Sequence, residues 1–322
     1  MSKLVVLGSV NADHVLKVPS FPRPGETLHG FGYQVIPGGK GANQAVAAAR
    51  LGADIAFIAS VGDDAFGKEM KQNFQATGID TSAVMEEQDT PTGIAMIQVA
   101  DTGENSICIS AEANGKLDAE RLTPHIPLIE NADYLLMQLE TPICGVELAA
   151  KMAKASATTV VLNPAPATAL SDQLLSCVDI ITPNETEAEL LTGVTVFDER
   201  SAQLAADILH AKGISMVMIT LGAEGVWLSV REKGAAKISG ENEQHESGKV
   251  IKGFRVNAID TTAAGDTFNG ALLTGMLEGM SLEEAIKFSH AAAAISVTRF
   301  GAQTSIPTRV EADAFLQQQM ND

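Results

Sequence analysis

Short β-branched apolar runs alternate with longer amphipathic or alanine-rich stretches along most of the chain, and this alternation restricts the fold more than any other feature. Strands are predicted at 4–10, 55–61, 134–139, 159–163, 180–182 and 216–220. Helical patterns fill 42–51, 65–77, 144–155, 185–192 and 202–212, and three more close the chain at 264–277, 282–298 and 310–319. Near-continuous apolar strands separated by helices read as βαβ units around a parallel sheet covered on both faces. The prediction is a doubly wound α/β fold with a mostly parallel sheet.

Length decides how many such bodies there are. A chain of 322 residues, 45% hydrophobic, buries roughly three quarters of the surface its unfolded form exposes, so one domain spanning 1–322 is expected. Aromatics make up only 4%, which leaves the core to small aliphatics such as the runs at 45–49 and 291–294. Two stretches break the rhythm. Residues 13–37 carry Pro19, Pro22, Pro24 and Gly25 between short extended pieces. Residues 92–100 and 105–110 read as two strands joined at Asp101-Thr102-Gly103, a hairpin signal. Together they suit a small β-sheet inserted in the body near the first strand. The segment 239–248 is polar and rich in Glu, Ser and Gly, and reads as a surface loop.

Charge narrows the partners. Forty acidic residues against 22 basic ones give a net charge of −18, a field that repels nucleic-acid phosphates and anionic lipid; neither nucleic acid nor membrane is an expected partner. The first apolar stretch is shorter than the roughly 7–15 residues of a signal-peptide core, and no segment reaches the ~20 apolar residues of a membrane span. Cys108, Cys144 and Cys177 lie too far apart for zinc spacing. They are predicted to be buried free thiols of a reducing cytoplasm.

In open α/β sheets ligands bind outside the carboxyl ends of the strands, and the informative residues follow strands here. Asn11-Ala12-Asp13 comes first. On an extended chain Asn11 and Asp13 point to one side and could grip vicinal hydroxyls; an Asx turn ending the strand is the other reading. Gly38-Gly39-Lys40-Gly41-Ala42-Asn43 opens a helix, where glycines admit a ligand to the backbone and free amides bind polar groups. Gly41 stands where a P-loop needs Ser or Thr, and Gln44 stands where a dinucleotide fingerprint needs Gly, so both generic motifs fail. A plain glycine-rich turn remains open for this segment.

The strongest segment is Asp260-Thr261-Thr262-Ala263-Ala264-Gly265-Asp266-Thr267-Phe268. Its small residues expose the amides of Ala263, Ala264, Gly265 and Asp266 at a helix start, which suits charge developing in phosphoryl transfer. Asp266 in that first turn can take a proton from an attacking hydroxyl; simple capping of the helix dipole is the alternative. Asn184-Glu185-Thr186-Glu187 begins another helix after a strand, and such carboxylates hold Mg²⁺ through water. Thr220-Leu221-Gly222-Ala223-Glu224-Gly225 adds a second glycine turn.

Taken together, the runs at 38–43 and 260–266 resemble the two signatures of the ribokinase (phosphofructokinase-B) sugar kinase family. Asn11-Ala12-Asp13, Asn163-Pro164-Ala165-Pro166, Asn184-Glu185-Thr186-Glu187 and Thr220-Leu221-Gly222 match the same family in order. The resemblance covers residues 4 to about 315. It implies a parallel-sheet body with a small β lid, inserted from roughly 13–37 and 92–110, that also builds a homodimer. It implies ATP-dependent phosphorylation of D-ribose at its primary hydroxyl, with Asp266 as base. Asn11, Ala12, Asp13, Gly39, Lys40, Gly41, Ala42, Asn43 and Glu140 would line the sugar site. Asn184, the run from Thr220 through Leu221, Gly222, Ala223 and Glu224 to Gly225, Gly265 and His290 would line the nucleotide pocket, with Glu187 supporting Mg²⁺. Asp260, Thr262, Ser296, Arg299, Gly301 and Ser305 would hold a monovalent cation, K⁺, several through backbone carbonyls; a bland alternative pairs Arg299 with Asp260. The loop 239–248 looks longer than its family counterpart, and His290 stands where many members carry Asn. Rival readings are a kinase for fructose, deoxyribose or adenosine, and an inactive sugar-binding regulator. A nucleoside kinase needs an aromatic clamp, and the lid offers few aromatics beyond Phe21, Phe31 and Tyr33.

Overall fold

The computed structural model describes residues 4–231 and 248–319; most of the predicted loop at 239–248 lies outside them. Its strands are β1 (Leu4–Leu7), β2 (Asn11–Val18), β3 (Phe31–Gly38), β4 (Ile55–Gly62), β5 (Val84–Glu87), β6 (Gly93–Ala100), β7 (Asn105–Ser110), β8 (Tyr134–Met137), β9 (Thr159–Leu162), β10 (Ile180–Ile181), β11 (Met216–Thr220), β12 (Val226–Val230) and β13 (Lys249–Ile251). The helices are α1 (Lys40–Leu51), α2 (Ala65–Ala76), α3 (Ala119–Leu122), α4 (Ile126–Glu130), α5 (Ile143–Ala155), α6 (Asp172–Cys177), α7 (Glu185–Thr192), α8 (Glu199–Ala211), α9 (Ala264–Leu277), α10 (Leu282–Val297) and α11 (Arg309–Gln319).

The large sheet runs β13-β12-β11-β10-β9-β8-β1-β4-β5. It is parallel from β11 to β5, and β12 and β13 extend it antiparallel at one edge. Alternate side chains leave each strand on opposite faces, and the core divides accordingly. Val5, Leu7, Leu135 and Leu162 pack with α5 and α8 on one face. Leu4, Val6, Phe57 and Leu136 pack with α1, α2, α9 and α10 on the other.

The smaller sheet has the order β3-β2-β6-β7. It consists of two antiparallel hairpin pairs, β2 with β3 and β6 with β7, joined through the parallel pair β2 and β6. The predicted first strand is split: β1 ends at Leu7, and after Gly8, Ser9 and Val10 the chain enters the smaller sheet at Asn11. Asn11 and Asp13 therefore lie within a strand, which removes the Asx-turn reading.

The expectation of buried thiols is wrong for two cysteines. Cys108 sits on β7, exposed along its whole length, and Cys144 lies exposed in the first turn of α5. Cys177, at the end of α6, is half-buried. Among the described residues no helix is long and apolar enough to cross a membrane.

Candidate functional site

The runs at 38–43, 184–187 and 260–266 open α1, α7 and α9, and those at 163–166 and 220–225 follow β9 and β11, so they gather where parallel strands end in the carboxyl direction; the 296–305 run, at the end of α10, joins them through Ile259 and Asp260. The glycines of the 38–43 run have separate physical tasks. Gly39 precedes α1 with φ 90°, a backbone region closed to most side chains. A Cβ on Gly38 would lie 2.0 Å from the Asp13 carboxylate, and one on Gly41 would lie 2.5 Å from the backbone of Gly8 and Ser9. The run thus seats α1 against the end of β1 and leaves room for Asp13.

Asp13 is 7% exposed and its Oδ1 has no hydrogen-bond partner among the described residues. Burial, with Glu140 and Asp266 nearby, pushes its carboxyl up to about 7 despite Lys40. Asn11 beside it is oriented by Asn114. The Asn114 Oδ1 accepts from Val10 N (2.8 Å), while its Nδ2 donates to Val10 O (3.1 Å) and to Asn11 Oδ1 (2.8 Å). The Asn11 amide nitrogen is left free to donate. Glu140, just beyond β8, accepts from Ser9 Oγ (2.5 Å) and from Lys40 N (3.0 Å) through one oxygen, Oε2. Burial alone would lower the Lys40 ammonium, but Asp266, Glu140, Glu187 and Asp13 outweigh it and hold it above its ordinary value. A cation is thereby locked among four carboxylates.

Asp266 lies in the first turn of α9, 7% exposed. Its Oδ2 accepts from Asn43 Nδ2 and its Oδ1 from Gln44 Nε2, each at 2.9 Å. The helix begins after Ala263, whose φ of 59° is in the left-handed region, a conformation costing an alanine roughly 1–2 kcal/mol. The Ala264 amide is turned inward to Thr261 O (3.2 Å). The next amides, of Gly265 and Asp266, are ones a first turn leaves without an intrahelical acceptor, and nothing lies within 4 Å of where a Gly265 Cβ would stand. Neither amide has an acceptor among the described residues, and the space beside Gly265 is open.

A second group adjoins it. Asn184 caps α7 in a reciprocal box with Glu187: Glu187 N donates to Asn184 Oδ1 (2.8 Å) and Asn184 N to Glu187 Oε2 (2.9 Å). Burial raises the Glu187 carboxyl, and Asp266 adds to this against the Asn184 amide and Lys40. The Thr220–Gly225 turn is tied on by Thr220 N donating to Pro183 O (2.9 Å). A Cβ on Gly225 would lie 2.2 Å from Ile251 O, so the turn packs on the segment leading to Lys252. His290, buried on α10 against the ring of Phe268 (5.4 Å between centroids), keeps Nδ1 unpartnered among the described residues. Burial lowers it to about 4 in spite of the Lys252 backbone, so the ring is neutral near pH 7. A cavity of about 340 Å³ beside the turn is lined by Leu221, Glu224, Val196, Phe197 and Lys252 among others.

The third group is clasped by backbone. Asp260 Oδ1 accepts from Thr262 N and Oδ2 from Gly301 N, both at 2.9 Å, and Ile259 N donates to Val297 O (2.7 Å). Burial alone would raise the Asp260 carboxyl; these donors outweigh it and hold it low. Ser296 Oγ and Ser305 Oγ bond carbonyls within their own turns. Arg299 pairs with Glu311 (2.6 Å) rather than with Asp260.

Sequence reasoning missed Ser9, Gln44, Asn114 and Gln138, all buried polar residues around the cluster. Gln44 carried a signal, an amide in a run of small apolar residues that the helix buries.

Residues 1–309 match the pfkB family carbohydrate kinase description. The chain is 57% identical over 314 residues to the ribokinase of Haemophilus influenzae, covering 98% of each. It is 42% identical to that of Staphylococcus aureus, covering 95% of this chain and 97% of the relative. The structure of the Arabidopsis thaliana ribokinase complexed with ribose and ATP superposes with a TM-score of 0.87 at 33% identity, covering 98% of this chain and 99% of that one.

Proposed function

The chain belongs to the pfkB family of carbohydrate kinases, and from that premise we propose that it transfers the γ-phosphoryl group of ATP to the primary hydroxyl of D-ribose, giving ribose 5-phosphate and ADP. One observation carries the reading: a buried carboxylate, Asp266, held at both oxygens by amide donors, lies beside free amides at the start of α9 and shares its surroundings with Asp13 of the smaller sheet.

The steps follow from what each residue has left to offer. Asp13 accepts hydrogen bonds from ring hydroxyls through its unpartnered oxygen, and Asn11 donates through its free amide nitrogen. Glu140 has one oxygen uncommitted and Lys40 remains cationic, so both can bind the sugar end. Asp266 takes the proton of the attacking hydroxyl. Negative charge gathering on the transferred group meets the Gly265 and Asp266 amides, already oriented before the reaction. The Thr220–Gly225 turn, Asn184 and neutral His290 hold the nucleotide, with room for its base in the adjoining cavity.

Magnesium, bound with ATP, offsets the charge of the phosphates. Among the described residues no group of three or more His, Cys, Asp or Glu is placed to hold a metal ion by itself. A hydrated ion touching one carboxylate through water fits Glu187, whose capping bond uses one oxygen only. Asp260, low in proton affinity and joining two segments, fits a K⁺ held with carbonyls of the 296–305 segment, which would order the approach to the Gly265 amide. The smaller sheet serves as lid. Its exposed Tyr33, Val35, Met96, Ile107 and Ile109 support pairing with a second copy. A cytoplasmic enzyme is the setting that ATP and a free sugar imply.

Asp266→Asn tests the base. General-base loss costs about 10²–10⁴-fold in rate, so kcat is expected to fall at least 100-fold while calorimetry still detects ribose and ATP binding. A kcat within threefold of the parent would remove Asp266 from the reaction.

A further inference from the structure

Beside Asp266 lies a row of buried amides that the reaction as described does not use. Gln44 has no exposed surface, and Gln138 and Asn163 are also buried. Gln44 Nε2 donates to Asp266 Oδ1 (2.9 Å) and to Asn163 Oδ1 (3.0 Å), and Gln44 Oε1 accepts from Gln138 Nε2. Asn163 Nδ2 in turn donates to the carbonyl of Thr182 (3.2 Å).

The polarity of this row is set by the backbone. A carbonyl only accepts, so the Asn163 amide nitrogen must face Thr182, which turns Asn163 Oδ1 toward Gln44. Gln44 must then present its NH₂ group to Asn163 and Asp266 together. Turning it over would set its oxygen against both the Asn163 oxygen and the Asp266 carboxylate. Two such mismatches in a buried site cost more than any hydrogen bond regained from Gln138, whose own amide no backbone group fixes.

We propose that Gln44 is a positioning residue: anchored by Asn163 and Gln138, it aims an N–H at Asp266 and so keeps that residue a proton acceptor with a fixed direction of approach. With Gln44 on Oδ1 and Asn43 on Oδ2, each oxygen has one lone pair occupied by a donor. The other lone pair of each oxygen is left for an incoming hydroxyl. The charged groups around Asp266 are Lys40 on its α1 side, Asp13 on the lid and Glu187 at the start of α7. Of these only Lys40 carries the opposite charge. Gln44 touches no substrate and acts through Asp266 alone.

The inference rests on Asp266 being the base, and the two can fail separately: turnover of Asp266→Asn judges that role, and the pH profile of Gln44 variants judges this one. The measurement is kcat for ribose from pH 5 to 9 at saturating ATP, together with KM and thermal melting. In Gln44→Met, kcat is expected to fall about 10- to 100-fold, the scale of a misplaced catalytic group. KM for ribose should stay within threefold, and the acid limb of kcat should move up by about one pH unit. Gln44→Glu keeps the shape but sets two carboxylates together, which then share a proton; its acid limb should move further still. Gln138→Met, acting through Gln44, should shift the limb in the same direction by less, and it decides the matter if Gln44→Met does not fold. Lower melting temperatures with an unmoved acid limb and unchanged kcat would overturn the proposal and leave Gln44 a packing residue. So would a rise in ribose KM that accounts for the whole loss.

Discussion

Asp13 shows how a single buried group ties the site to solution pH. Its carboxyl is raised from 3.8 to about 7 by burial and by Glu140 and Asp266. Between those values the folded chain holds a proton that the unfolded chain has released, so this group makes the empty enzyme less stable as pH rises from about 4 to about 7. Ribose needs the ionised form as acceptor, and its affinity should therefore rise with pH, by at most tenfold per unit below 7, and level off above. Calorimetry between pH 5.5 and 8.5 checks this, and Asp13→Asn should bind weakly with no such slope. A flat profile in the parent would mean that Asp13 is not the acceptor. At this scale the sequence exposed the residues that carry charge or stripped backbone: Asp13, Lys40, Asp266 and the glycines around them. It concealed their supports. Asn114 and Gln138 matter because of partners 103 and 94 residues away in sequence, and no local pattern records such a pairing.

Between elements, the placement of Asp266 depends on how closely α9 lies on α1. Gly270 is the point of approach: a Cβ there would stand 2.6 Å from Ala47 Cβ and 2.8 Å from Gln44 O. Alanine in a helix interior is ordinarily favoured over glycine by about 1 kcal/mol, so propensity alone has Gly270→Ala stabilise the protein. Overpacking of a tight core costs about 1–3 kcal/mol, and here it should win. The variant is expected to melt at lower temperature, by a few degrees for a chain of this size, and to lose kcat because α9 carries Asp266 away from Asn43 and Gln44. A higher melting temperature with kcat intact would show that the helices are not in limiting contact. Most elements were legible because their periodicity is strong; α7, α9 and β11 match their predicted limits. The strand predicted over 4–10 failed at Gly8, where α1 and Gln138 crowd the backbone, a tertiary cause. The edge strands β5 and β13, and β12 beside β13, were not identified.

For the whole molecule, alternation of strands and helices dictates a parallel sheet, and the parallel sheet dictates where a ligand sits. That reasoning pointed to Asp13 near one end of the chain and Asp266 near the other, while Glu140 entered only through the family resemblance; the fold brings the two ends together, since Asn43 and Asp266 bond across 223 residues of sequence. Sugar choice was less legible, because it depends on hydroxyl-by-hydroxyl geometry around Asn11, Asp13 and Glu140 rather than on any motif. The most direct measurement is therefore release of ADP with Mg²⁺ and K⁺ present, using D-ribose, 2-deoxyribose, fructose and adenosine at equal concentration, with the product identified by phosphorus NMR. Ribose is expected to give the highest kcat/KM, by at least tenfold over each rival, with one ADP formed per phosphate ester at the primary hydroxyl. Faster turnover of another acceptor, or no ADP release with any of them, would contradict it.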